Sequence, residues 1–308
     1  QLSSFYTSSA QLAGSSGNYY ISVYQTDITS SNTAVQFDIA YGNKNGNGSI
    51  PFNPGLPSYS PSSTTYGQYR SLILEDETSQ FIFGDGTNVL ASDDFWVLSV
   101  ERARYKESLF PGTFNLILEG SGGEIMLTDN SNDVLTQTFI GSNRVFQIVS
   151  GSNGSAYNTT GYSPNSGSYG LFLPDIGTIL LNPAAISAST GVDTNKNTSI
   201  PNTTNNLTLF NAIYSGSNFT LNSQETITSD YIFIRSRNAE FNYSTNPSFI
   251  SGSTGEVIYT EFINSPQTYI TTVGMYNDAN ELVAVAKLSK PLLKDFTKES
   301  LVRVKLDF

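Results

Sequence analysis

The chain contains neither cysteine nor histidine among its 308 residues. Without cysteine, a disulfide scaffold and a thiolate metal site are excluded. Without histidine, imidazole is missing from every catalytic and metal-binding scheme. Charge is scarce too: only 13% of residues are ionisable Asp, Glu, Lys or Arg, about half the usual share. The net charge is −11, and an acidic chain repels a phosphate backbone, so no nucleic-acid partner is expected. No apolar run approaches the roughly 18 residues needed to span a bilayer, so no membrane partner is expected either. The chain starts at Gln1, and nothing near it has the charged-then-apolar shape of a signal peptide.

What fills the gap is Ser, Thr, Asn and Gly, with 19 Phe and 18 Tyr. Enough apolar and aromatic surface is present for a packed core. The polar surface rests on hydroxyls and amides rather than on ions. That is the composition of strand-and-turn proteins, and it suits assemblies in which neighbours cover much of each subunit.

The most strongly patterned stretch is the last forty residues. An apolar run from Tyr269 to Tyr276 meets the polar loop Asn277-Asp278-Ala279-Asn280, and a second run, Glu281 to Leu288, leaves it. The pattern predicts a β-hairpin, which Pro291 is expected to stop. Val302, Val304, Leu306 and Phe308 then alternate with Arg303, Lys305 and Asp307, which predicts a half-buried terminal strand.

Earlier strands are predicted at 19–24, 34–41, 95–100, 113–118, 145–149, 171–173, 178–181, 230–235 and 240–243. Glu124–Thr128 and Val134–Ile140 read as a hairpin closed by residues 129–133. Pro174-Asp175-Ile176-Gly177 is a turn by its chemistry. Asn182 before Pro183 is the pattern of an N-cap and first helical position. Leu207–Tyr214 is the clearest helix, between Asn206 and Gly216. The fold expected is mainly β: an antiparallel β-sandwich or two linked β-domains, with long polar loops and one or two short helices. The boundaries expected are an N-terminal arm (1–18), a β-domain (19–186), an Asn/Thr-rich linker or loop (187–206) and a C-terminal β-domain (207–308).

Three groups of residues invite a chemical reading. Glu75/Asp76/Glu77 and Asp93/Asp94 offer carboxylate pairs of the kind glycosidases use, although adjacent acids in a turn are commonly just solvated. Asp129-Asn130-Ser131-Asn132-Asp133 spaces oxygens as calcium loops do, but Val134 stands where the loop glycine belongs and no glutamate closes it. The glycine-rich stretch 42–61 lacks the Lys-Ser/Thr of a phosphate loop and shows no helical pattern behind it. Its prolines and aromatics, Phe52 and Tyr59 among them, suit a loop lying over another subunit. Trp96 sits among apolar neighbours and reads as core. No catalytic, cofactor or metal residue is therefore assigned, and no cofactor is expected.

The C-terminal tip concentrates positive charge. Lys287, Lys290, Lys294, Lys298, Arg303 and Lys305 face only Asp295, Glu299 and Asp307 from residue 287 on. Together with Pro291, Phe52 and Tyr59 they form the candidate interface. Either the lysines blunt an exposed strand edge or they dock on an acidic neighbour.

Thr271-Thr272-Val273-Gly274, Tyr276-Asn277-Asp278, Glu281 to Ala286, Lys290-Pro291-Leu292 and Lys294-Asp295 form a pattern that resembles a segment of structural proteins of contractile-tailed phages. The likeness is greatest to large virion proteins of cyanophage-type myoviruses, and looser to the attachment domain of tail-fibre proteins. Tyr66–Arg70, Glu101–Glu107 with Pro111-Gly112, and Gly170–Gly177 resemble the same family. None of these pieces is a catalytic signature. The resemblance implies a virion location and a non-enzymatic structural role as a tail, baseplate, neck or fibre-attachment subunit. It implies other virion proteins as partners and a homo-oligomer in a symmetric assembly. A carbohydrate-binding or adhesin-like β-domain, with a saccharide partner, and a capsid decoration protein are the alternatives.

Overall fold

The computed structural model describes residues 6–7, 19–56, 58–85, 88–158, 161–163 and 165–308. The arm expected over 1–18 lies outside the described residues except for Tyr6–Thr7. The chain is mainly β and antiparallel, and it divides into two compact units, up to Glu225 and from Thr226 on.

In the first unit, β1 (Tyr6–Thr7), β2 (Tyr20–Tyr24) and β3 (Val35–Asn43) precede helix α1 (Pro61–Ile73). A separate hairpin of β4 (Phe81–Asp85) and β5 (Asn88–Ser92) leads into β6 (Asp94–Val100). Then come β7 (Ser108–Leu109), β8 (Asn115–Gly120), β9 (Gly123–Asp129), β10 (Thr138–Ile140), β11 (Asn143–Ser152), β12 (Ser155–Ala156), β13 (Gly170–Leu173) and β14 (Thr178–Leu181). Helices α2 (Pro183–Thr190) and α3 (Thr203–Gly216) follow, and β15 (Phe219–Thr220) and β16 (Ser223–Gln224) close the unit. The main sheet runs β1-β2-β3-β6-β14-β13-β11-β9-β8-β15, with β10 and β12 also paired to β11. It curls: the Phe219 ring, on β15 at one end of the sheet, meets Phe37 of β3 at 5.1 Å between centroids.

Period-two alternation gives this sheet two buried faces. Phe37, Ile39 and Tyr41 point one way, opposite Val100, Leu98 and Trp96 of β6. They join Phe172, Ile179 and Leu127 and the apolar sides of α2 and α3 in one core. Trp96 is fully buried there, and its Nε1 donates to the Asn205 carbonyl at 2.9 Å. Ala40, Val97, Leu180 and Leu171 point the other way, into a second core with Tyr66 and Ile73 of α1 and Phe81 and Phe83 of the β4–β5 hairpin.

Helix α1 has little helical periodicity in its sequence, PSSTTYGQYRSLI. Its start is fixed by chemistry at the N-terminus instead. Ser60 and Ser63 form a reciprocal capping box, and Pro61 occupies the first turn, where no N–H is needed. Asn182 caps α2 as expected, its side chain accepting from Ala184 N at 3.1 Å. The helix expected at 207–214 is α3, which begins four residues earlier.

Three expectations need correction here. Glu124–Thr128 does not pair with Val134–Ile140: β9 pairs with β8 and with β11, while β10 pairs with β11. The 129–133 segment instead carries the chain across, its polar side chains bonding to the backbone of other turns. The stretch 187–206 is no linker, since it holds the end of α2 and the start of α3, and the division falls after Glu225. The reason is that three of its asparagines, Asn202, Asn205 and Asn206, are buried. Asn205 Nδ2 donates to Asn195 O at 2.9 Å and its Oδ1 accepts from Asn195 N at 2.8 Å. Asn205 also sits so close to Gly48 (φ +81) that a Cβ there would lie 2.6 Å from its amide nitrogen, so this turn requires glycine. Finally, 240–243 is not a strand but part of a turn.

The second unit holds β17 (Ser229–Ser236), α4 (Thr260–Asn264), β18 (Gln267–Tyr276), β19 (Leu282–Asp295) and β20 (Ser300–Asp307). β17 pairs with β20 and β18 with β19, as two separate two-stranded sheets. The closing hairpin is present as expected. Pro291, however, does not end it: β19 continues to Asp295. The register jumps between Ile270/Leu292 and Thr272/Lys287, so Pro291 sits in a bulge where no ladder N–H is demanded. In β20, Val302 and Val304 are buried as expected, whereas Phe308 is exposed.

Candidate functional site

Of the candidate interface residues, Lys287, Lys290, Pro291, Lys298, Arg303 and Lys305 are exposed in the second unit. Phe52 and Tyr59 are exposed in the first, joined by a bond from Phe52 N to Tyr59 O at 2.7 Å. Neither unit gathers all of them into one patch. Lys294 is a correction: its side chain is 0% exposed and serves no docking surface. Its ammonium donates to the carbonyls of Asn238 (2.9 Å) and Glu240 and to Asn242 Oδ1 (2.7 Å). It is the clasp of the 238–242 turn. Replacing it with methionine leaves these acceptors unpaired in a place closed to water. We expect a loss of roughly 2–4 kcal/mol, as for removal of a buried charged donor. Hydrogen exchange confined to residues 229–307 measures it.

The second unit is unusual in what it leaves open. Among residues 226–308 only Ser236, Lys294, Ser300, Val302 and Val304 are buried. On β17 and β20, Tyr231, Phe233 and Leu301 face outward, with Lys305, Arg303 and Arg235 as their cross-strand partners. On β18 and β19, Tyr269 with Leu293 and Tyr276 with Leu282 do the same, alongside Val283 and Val285. Two mostly buried valines contribute on the order of a few kcal/mol. Ordering the backbone costs ~1–2 kcal/mol for each residue, more than that burial returns.

In the first unit, Glu75, Asp76, Asp93 and Asp94, among the carboxylates singled out from sequence, are engaged structurally. Asp94 Oδ2 accepts from the Tyr41 hydroxyl (3.0 Å) and Thr194 (3.2 Å) and pairs with Lys196 Nζ at 3.2 Å. Burial first, then the nearby Asp94 charge, pushes the Tyr41 hydroxyl well above the ordinary tyrosine value. Glu75 Oε1 accepts from Ser142 N and Oγ. The Ser79 hydroxyl and both donors of Thr78 hold Asp76 down to about 2. Asp129, the first position of the calcium-like loop, is fully buried and accepts from Gly112 N at 2.8 Å and Ser131 N at 3.0 Å. Asn130 Oδ1 accepts from Gln147 N, and Asp133 Oδ2 from Ala156 N. These oxygens face N–H donors and tie turns together.

The arrangement that sequence reading missed lies under α1. On the sheet face that carries the second core, one cross-strand row is polar: Ser22, Asp38, Ser99 and Thr178 stand side by side on β2, β3, β6 and β14. Above the first part of this row, Thr64, Thr65, Gln68 and Tyr69 of α1 close a cleft of about 470 Å3, with Tyr19 and Tyr20 on its wall. Asp38 Oδ1 is shielded from solvent and has no hydrogen-bond partner. Burial pushes the Asp38 carboxyl up from its ordinary value, the Ser22 hydroxyl opposing and the Glu101 charge adding to the rise. Tyr69 is likewise raised, by burial above all.

A test of this environment follows from its sign. The folded state holds the Asp38 proton more tightly than the unfolded chain, whose value is about 3.9. Stability is therefore lost as pH rises from that range through the raised folded value. Asp38→Asn removes this loss. Thermal melts at a series of pH values should show the variant more stable than wild type at neutral pH, the two converging toward pH ~3.

No family model, no curated protein and no solved structure matches this chain.

Proposed function

We propose that this chain is a non-enzymatic structural subunit of a contractile-tailed phage virion. Its place is the tail, baseplate, neck or fibre attachment, and it acts by packing strands and loops against neighbouring copies of itself and other virion proteins. The observation that carries the reading is the second unit, which forms eight- to fourteen-residue strands while burying only two apolar side chains. A subunit whose strands complete their cover in an assembly has this form. The resemblance of residues 271–295 to phage structural proteins supports the same placement, and the structural engagement of the carboxylates supports the absence of catalysis.

Charge favours a second copy as the neighbour of this unit. Residues 226–308 carry eight basic and nine acidic side chains of the chain's 15 and 26, leaving seven and seventeen for the rest. The C-terminal unit is thus nearly neutral on an acidic chain, and copies of it meet without net repulsion. Electron microscopy of virions labelled with an antibody against this chain tests the placement. Label on the tail or its junction with the head is the result expected. Label over the whole head makes the chain a capsid decoration protein instead, and unlabelled particles overturn a virion role.

A further inference from the structure

The cleft between α1 and the sheet has a composition that packing alone does not account for. Where a helix covers a sheet, the facing residues are ordinarily apolar, and Tyr66 and Ile73 obey that rule. Thr64, Thr65 and Gln68 do not, and Tyr69, whose ring packs on the second core, adds a hydroxyl to them. They form an i, i+4 pair of pairs on adjoining strips of α1, and all four line the cleft over Asp38 and Ser99. The volume of about 470 Å3 falls in the range of small-molecule sites, roughly 300–1,000 Å3.

The hydrogen-bonding inventory narrows the ligand. The Thr64 and Thr65 hydroxyls already donate to the Ser60 and Pro61 carbonyls, both at 3.0 Å, so toward the cleft they present acceptor lone pairs. Asp38 Oδ1 adds an acceptor without a partner. Gln68, exposed at the rim, adds an amide that both donates and accepts. Tyr19, Tyr20 and Tyr69 supply ring surface, and Tyr19 leans on Phe52 at 6.3 Å between centroids. Acceptors in a row beside aromatic surface match a ligand with several hydroxyl donors and apolar C–H faces. A phosphate or carboxylate ligand is opposed by Asp38 and by the chain's net charge of −11. An ammonium ligand would bond only the acceptors and leave the ring surface of the tyrosines unused. A carboxyl in either form bonds hydroxyl groups.

We propose that this cleft is a binding site for a neutral sugar, with Asp38 and Gln68 holding its hydroxyls and the tyrosines of the wall meeting its ring. The site belongs to the first unit and does not depend on the assembly surface of the second.

Saturation-transfer NMR on the full chain tests it, using methyl glycosides of glucose, galactose and mannose, N-acetylglucosamine, and ethylammonium as a cationic control. At least one sugar should bind in the millimolar range, and Gln68→Ala and Asp38→Ala should each weaken it by about tenfold or more, a change of ~1.4 kcal/mol. Gln68 is an exposed helix residue, so its variant keeps the fold and reads the site directly. Failure of every sugar to bind, binding unchanged in both variants, or preference for ethylammonium would each overturn the proposal.

Discussion

Phe233→Asp combined with Val285→Asp in the full chain should convert an oligomer into monomers at micromolar concentration. Phe233 and Val285 are 63% and 57% exposed, one on each two-stranded sheet of the C-terminal unit. An exposed strand residue contributes little to its own chain, and a surface substitution typically costs within about 0.5 kcal/mol. An aspartate buried in a subunit interface costs far more, because a carboxylate there loses its water without gaining a partner. The two effects separate cleanly. Sedimentation should show the change of mass, while near-ultraviolet circular dichroism from the Trp96 and Tyr41 core stays unchanged. An unaltered sedimentation coefficient would mean that these faces are not where copies meet.

Trp96→Ala should be the most damaging single substitution in the first unit, costing about 3–5 kcal/mol, the range for deleting a large aromatic from a packed core. The indole is fully buried between the sheet and α3 and lies against the Tyr41 ring at 6.4 Å. Its loss also strips the Asn205 carbonyl of its donor. Asn205 is the residue that holds Asn195 and approaches Gly48, so the damage should spread to the loops at 43–49 and 192–206. Chemical denaturation monitored by tyrosine fluorescence gives the magnitude, and exchange at those loops gives the spread. Trp96→Phe should recover most of the stability but not the protection of the Asn205 turn.

The alternating strands of this protein were readable because their apolar residues were written at the right period. Tyr20–Tyr24, Val35–Asn43, Asp94–Val100 and the closing hairpin follow from that pattern alone. The pairing of β9 was not readable, because the nearest run in sequence competes with a distant one and local chemistry does not decide between them. Residues 187–206 misled for a different reason. Asparagine and threonine suggest a solvated linker, but here asparagine amides replace water as partners for buried backbone. Helix α1 was missed since its signal lies in Ser60-Pro61 and Ser63 rather than in periodicity. With α1 went the cleft: Asp38 opposite an apolar face reads as solvent-exposed until a helix is known to cover it. Lys294 looked like its exposed neighbours, and only the fold of the 238–242 turn distinguishes it. The apolar outer faces of the C-terminal hairpins, by contrast, were legible as strands but not as uncovered, because sequence does not count the layers above a sheet.

The central claim is that residues 226–308 complete their packing on other copies of the chain. Native mass spectrometry of the full chain across a dilution series, with hydrogen exchange read at each concentration, tests it most directly. The account predicts a symmetric homo-oligomer in which the amides of residues 229–236, 267–295 and 300–307 are protected, and loss of that protection on dissociation while 35–43 and 94–100 remain protected. A monomer at every concentration, with the C-terminal strands as protected as the central sheet, would contradict it.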